Sequence, residues 1–204
     1  MSKVSVIIPV WNQESLVERA IRSVPKRNDV EIIVIDDGST DDTPIVLRTI
    51  LEEELGNFNF ICLFNEENRG VGYTVNKGYD YASGEYLVNL GSDDYFYTEN
   101  FEKAMEELDG TDLVYFDLKV NDGTVYKLND SNKQFYCGST KFMRRAFVGD
   151  TRCPEIRAGE DRYFYDELMK KNPTEKFTNI VVKHYNFPRK GSLMDLSIKG
   201  ILKA

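Results

Sequence analysis

The chain has 204 residues, 41% of them hydrophobic and 29% charged, with a net charge of −8. These proportions suit one soluble domain with a sizeable core. So acidic a chain is a poor candidate for wrapping nucleic acid, which needs dense Lys/Arg, although Lys141, Arg144 and Arg145 form a small basic patch. The apolar stretches are strand-sized, so no transmembrane helix is expected. Pro9 and Asn12 interrupt the first apolar run, which argues against a signal peptide. Three cysteines, Cys62, Cys137 and Cys153, without metal or redox spacing, suggest reduced thiols and a cytoplasmic location.

The first half alternates strand and helix. Val4 to Val10 predicts a strand, and Glu14 to Val24 a helix with Leu16, Val17, Ala20, Ile21 and Val24 on one face. Val30 to Ile35 predicts a strand, and its β-branched run Ile32-Ile33-Val34-Ile35 predicts burial on both faces. Thr40-Asp41-Asp42-Thr43-Pro44 opens the next helix, with capping residues and then proline in the first turn. A strand over Phe58 to Phe64, a helix over Gly70 to Ala82, a strand over Glu85 to Leu90 and a helix from Thr98, as its cap, to Leu108 follow. Leu113 to Val120 turns through Asn121-Asp122-Gly123-Thr124 into Val125 to Leu128, a hairpin. Beyond it, Phe142 to Val148 and Glu160 to Lys171 predict helices, Asn179 to Tyr185 a strand, and Leu193 to Leu202 a final short helix. Strand–helix alternation predicts an α/β, mostly parallel, doubly wound, Rossmann-like sheet with helices on both faces, in a single domain over 1–204.

Two strands run into acidic turns: Ile35 into Asp36-Asp37-Gly38-Ser39-Thr40-Asp41, and Leu90 into Gly91-Ser92-Asp93-Asp94. The carboxyl edge of such a sheet is where ligands bind. Carboxylates gathered there call for a cation, a ribose or a nucleobase. Asp41 and Asp42 fit better as first-turn residues of the helix that follows.

The order and spacing of several motifs resemble the inverting family 2 glycosyltransferases of the GT-A fold. Val6-Ile7-Ile8-Pro9-Val10-Trp11-Asn12 is similar to the family's opening Pro-x-Tyr-Asn strand, with Trp11 in the aromatic place. Asp36-Asp37-Gly38-Ser39-Thr40-Asp41 resembles its nucleotide motif, and Asn68-x-Gly70 with Asn76-Lys77-Gly78 its following segment. Leu90-Gly91-Ser92-Asp93-Asp94 aligns with its metal motif, and Gly159-Glu160-Asp161 with the motif carrying the base.

The resemblance implies a nucleotide-sugar-binding half over 1–97 and an acceptor-side half over 98–204. Pro9, Trp11, Asn12, Asp36, Asp37, Asn68, Gly70, Lys77, Ser92 and Arg189 would contact the donor, with Arg189 in a tail that closes over the diphosphate. Asp93, Asp94 and His184 would hold Mn²⁺ or Mg²⁺, Asp161 would act as general base, and Glu160 would bind acceptor or support the base. Trp11 or Tyr95 would line the cleft, among the aromatic residues Tyr95, Phe96, Tyr97, Phe135 and Tyr136, and Gly138 to Arg145 would be the acceptor loop. The implied reaction moves a hexose or N-acetylhexosamine from a UDP-sugar to the hydroxyl of a glycan, a lipid-linked sugar or another acceptor.

One position departs from the family pattern. Its metal motif reads Asp-Ser-Asp-Asp or Asp-Ala-Asp-Asp, and here Gly91 stands in the first place. That shifts metal binding onto Asp93, Asp94, His184 and the diphosphate, and raises the alternative of a nucleotide-sugar-binding protein that has lost turnover. A nucleotidyltransferase or a dinucleotide oxidoreductase would carry a Gly-rich loop after the first strand, where this chain has Trp11-Asn12-Gln13-Glu14.

Overall fold

The computed structural model describes residues 3–54, 59–129, 138–156 and 159–190. The helix expected over Leu193 to Leu202, together with Phe135, Tyr136 and Cys137, lies outside them. In chain order the elements are β1 (Val4–Val10), α1 (Val17–Arg22), β2 (Val30–Asp36), α2 (Thr43–Glu54), β3 (Asn59–Phe64), α3 (Val71–Tyr81), β4 (Tyr86–Asn89), β5 (Tyr95–Phe96), α4 (Thr98–Glu106), β6 (Leu113–Val120), β7 (Val125–Tyr126), β8 (Lys141–Arg144), α5 (Arg145–Val148), α6 (Glu160–Met169) and β9 (Glu175–Tyr185).

The sheet runs β3-β2-β1-β4-β8-β6-β9-β5, with β7 paired to β6. Strands β3, β2, β1 and β4 are parallel, as expected for crossover-connected strands. The second half is mixed: β8 is antiparallel to both β4 and β6, β9 is parallel to β6, and β5 is antiparallel to β9. The unbroken apolar runs are explained by burial on both faces. Val6, Ile8, Ile32 and Val34 pack towards α1, α2 and α4, while Ile7, Ile33 and Ile35 pack towards α3 and α6. A parallel strand pointing one way collects its carboxyl ends at one edge, and that edge carries both acidic turns.

Four local expectations are corrected. Phe142 to Arg144, expected to open a helix, belongs instead to strand β8, which fills the slot between β4 and β6; only Arg145–Val148 is helical. Helix α1 starts at Val17 rather than Glu14, and the turn before it is pinned to the loop ahead of α2, the Gln13 and Glu14 backbone N–H groups donating to Thr43 Oγ1 (2.9 Å) and Asp41 Oδ2 (3.2 Å). Thr98 is the first residue of α4 rather than its cap, and its hydroxyl donates to the Ser23 carbonyl at 3.0 Å. The last strand begins at Glu175, four residues earlier than Asn179, which has φ 56° beside a register irregularity opposite β6. The Lys141–Arg145 patch is likewise tied inward. Lys141 is buried and donates to the Gly138 carbonyl, Arg144 pairs with Asp112, and Arg145 Nε donates to the Gly84 carbonyl.

Candidate active site

At the end of β1, Asn12 takes a left-handed φ of 52° and ties two loops together. Its N–H donates to Ser39 Oγ (2.9 Å), and its Oδ1 accepts from the Thr40 N–H (2.8 Å). Asp41 Oδ1 accepts from the Thr43 N–H at 3.0 Å, a turn that leads into α2; Asp41 and Asp42 thus stand just ahead of the helix, not in its first turn as expected. Asp36 and Asp37 are both buried. Asp37 is engaged by the chain itself: Oδ1 accepts from Asn65 Nδ2 (2.8 Å) and the Arg69 N–H (3.0 Å), and Oδ2 from the Gly70 N–H (2.8 Å). Asp36 accepts from the Ser39 N–H at 3.3 Å, and burial pushes its carboxyl above the ordinary range. Gly38, at φ 67°, lets the 67–68 backbone pass so closely that a Cβ there would sit 2.5 Å from the Glu67 carbonyl carbon. Lys77 donates to Asn65 Oδ1 at 2.7 Å, joining the same cluster, and Asn68 stands exposed on the loop. Trp11 is half exposed at this edge.

The second acidic turn is built differently. Ser92 and Asp94 are buried and Asp93 is half-buried. Asp94 Oδ2 pairs with Lys183 Nζ at 3.1 Å, both side chains being 3% exposed, and Oδ1 accepts from the Asn186 N–H at 2.9 Å. Burial raises the Asp94 carboxyl while the Lys183 charge opposes that rise. Asp93 Oδ2 accepts from Arg189 Nε at 2.8 Å, and the Asp93 carbonyl accepts from Arg19 Nη2 at 2.6 Å. His184 stacks on Tyr95 with ring centroids 4.5 Å apart, and the Arg19 guanidinium lies over Tyr95 at 4.9 Å. His184 Nε2 faces Asn121 Oδ1 at 2.9 Å, an acceptor, which assigns the proton to Nε2 and leaves Nδ1 to accept from the Tyr97 hydroxyl at 3.1 Å.

Between the two halves lies a cavity of about 160 Å³ whose walls include Pro9, Asn89, Gly91, Lys141, Glu160 and Asp161. Glu160 and Asp161 open α6, where the helix dipole favours carboxylates. Burial pushes the Glu160 carboxyl up, and Asp161 Oδ1 accepts from the Arg162 N–H at 2.8 Å. The strap leading into α6 is clasped by Asn76, whose Nδ2 donates to the Cys153 carbonyl and whose Oδ1 accepts from the Cys153 N–H, both at 2.8 Å. Asn89 Oδ1 is buried without a hydrogen-bond partner among the described residues, while its Nδ2 donates to the Tyr79 hydroxyl at 2.7 Å.

The model of the family described as glycosyl transferase family 2 matches residues 5–164. The chain belongs to that family. A Campylobacter jejuni relative, "GalNAc(5)-diNAcBac-PP-undecaprenol beta-1,3-glucosyltransferase", is 39% identical over 98 residues, covering 46% of this chain and 30% of its own. The chain thus spans under a third of the length of the first curated relatives it matches, 30% and 31% of theirs. S. aureus TarS, solved in complex with UDP-GlcNAc, superposes with a TM-score of 0.78 at 25% identity, over 94% of this chain and 60% of that one. The mannosyltransferase PcManGT from Pyrobaculum calidifontis, solved with GDP-Man and Mn²⁺, shares the fold with a TM-score of 0.73 at 19% identity, over 93% and 58%. The sheet is accordingly of the GT-A type.

Family 2 membership makes the fit of a divalent ion a direct question. Among the described residues no three His, Cys, Asp or Glu side chains gather as a metal site. Asp94 is committed to Lys183, Asp93 to Arg189, and both ring nitrogens of His184 are engaged. As they stand, these residues do not fit the ion that the family resemblance implies. Sequence reading passed over Arg19 and Lys183. A lysine following Val181 and Val182 in an apolar strand was a readable sign of a buried ion pair, whereas nothing in the pattern of α1 pointed Arg19 at Asp93.

Proposed function

We propose that the chain transfers a sugar, with inversion, from a UDP-sugar to an acceptor hydroxyl. The observation that carries this reading is the cavity where Pro9 and Gly91, from the strand ends of the nucleotide half, face Glu160 and Asp161 at the start of α6. Asp161 takes the proton of the acceptor hydroxyl as that oxygen bonds to the anomeric carbon, and the sugar–phosphate bond breaks with its electron pair leaving on the diphosphate. One displacement needs one base, and Glu160 beside it, raised by burial, lines the acceptor side. Pro9, Trp11, Asn12, Asp36, Asn68, Gly70 and Lys77 frame the nucleoside end, with Asp37 holding the 65–70 loop in place for it. The UDP-GlcNAc complex of TarS supports a UDP-sugar donor, and the undecaprenol-linked glycan in the name of the C. jejuni relative supports a lipid-linked glycan acceptor.

The test is Asp161→Asn, assayed with UDP-sugars and a lipid-linked glycan acceptor. Turnover is expected to fall about 10²–10⁴-fold, while UDP affinity by calorimetry stays within about twofold of wild type. Unchanged turnover removes Asp161 from the reaction. A wild type that binds donor and never turns over, with any acceptor, favours the second reading that Gly91 motivates, a nucleotide-sugar-binding protein.

A further inference from the structure

We infer that in this chain the Arg189 guanidinium, seated on Asp93, takes the part of a divalent ion in gripping the donor's diphosphate, so that donor binding is independent of metal. This rests on the UDP-sugar reading above and adds what neutralises the diphosphate.

The first observation is the want of carboxylate oxygens. Gly91 contributes none, and a Cβ built on it would stand 3.0 Å from Asp94 Oδ2 and 3.1 Å from Asp93 Oδ1. Both carboxylates lean over the glycine and occupy the space into which a third acidic side chain would grow. Three of the four oxygens of Asp93 and Asp94 already accept from Arg189, Lys183 and the Asn186 N–H. A hard dication needs several oxygen ligands at once.

The second observation is charge. Arg189, Lys183 and Arg19 stand against the two carboxylates, with Arg19 at the Asp93 carbonyl. The local balance is already positive, which disfavours a dication and favours a diphosphate. The third is geometry. Arg189 uses Nε on Asp93, its terminal nitrogens form no hydrogen bond among the described residues, and its side chain is 28% exposed. A guanidinium oriented by one N–H with its fork open matches two phosphate oxygens. Donors fixed in advance where charge builds on the leaving group supply the stabilisation an ion would give.

The experiment is calorimetric titration of UDP onto the full chain in Mn²⁺ and, separately, in EDTA. The dissociation constants are expected to agree within about twofold, because no ion takes part in the grip. Arg189→Ala is expected to weaken UDP about 10- to 100-fold in EDTA, with Arg189→Lys recovering part of the loss. Melting temperatures of both variants within about 2 °C of wild type show that the fold is kept. UDP that binds in Mn²⁺ and not in EDTA overturns the inference while leaving the donor reading intact. An Arg189→Ala chain that binds UDP as wild type does in EDTA overturns it as well. Failure to bind UDP in either buffer overturns the donor reading and the inference with it.

Discussion

Asp37 shows how much of a residue's work depends on its partners. The acidic pair at the end of β2 was legible, because a β-branched run ending in Asp-Asp-Gly marks a sheet edge. The donors that claim Asp37 come from Asn65, Arg69 and Gly70, 28 to 33 positions away, a distance no local pattern spans. Asp37→Ala leaves the Arg69 and Gly70 N–H groups without their acceptor, and the expected loss is about 3 kcal/mol of stability. Urea unfolding should show it as a lower midpoint at unchanged slope. His184 was equally visible as the chain's single histidine, but its ring is placed by Tyr95, Tyr97 and Asn121 on other strands and turns.

Elements were readable where period and neighbours agreed. The parallel strands β1 and β2 and the helices α2 and α3 follow from apolar runs, caps and proline placement, and they lie within a residue or so of expectation. Phe142 to Arg144 departs from the expected helix because its apolar residues suit a helix face as well as a strand, and only the slot between β4 and β6 decides between them. The joint at which β6 and β9 begin and β8 ends is secured by Asp112. Its Oδ1 accepts from Arg144 Nε (3.0 Å), and its Oδ2 from the Thr174 N–H (3.0 Å) and hydroxyl (2.9 Å). Burial alone would raise the Asp112 carboxyl, but these donors outweigh it and hold it below its ordinary value of 3.8. A depressed folded-state value stabilises above the unfolded value and is lost as pH falls through the folded one. Asp112→Asn should therefore cost about 1–2 kcal/mol at pH 7. Denaturation series at falling pH should show the gap to wild type closing below pH 3.8.

Across the whole molecule, the line between 1–97 and 98–204 crosses the sheet rather than a linker. Strand β8 of the second half is bonded to β4 of the first, and β5 to β9. Fold class was legible because the first half is locally periodic. The mixed order of the second half was not, since its pairings join distant segments. A sheet continuous through both halves should unfold as one unit, and scanning calorimetry should give a single transition with equal calorimetric and van't Hoff enthalpies. Two resolved transitions would make the halves separate domains. The positions of Arg19 and Arg189 carry one more consequence, because they sit in a chain of net charge −8. On the proposed donor reading, an approaching nucleoside diphosphate would be repelled by the molecule at a distance and attracted only within about 10 Å, the screening length at 0.1 M salt. Added salt thins the long-range repulsion more than the contact pair, so the speed of encounter and the firmness of capture respond to ionic strength in opposite directions.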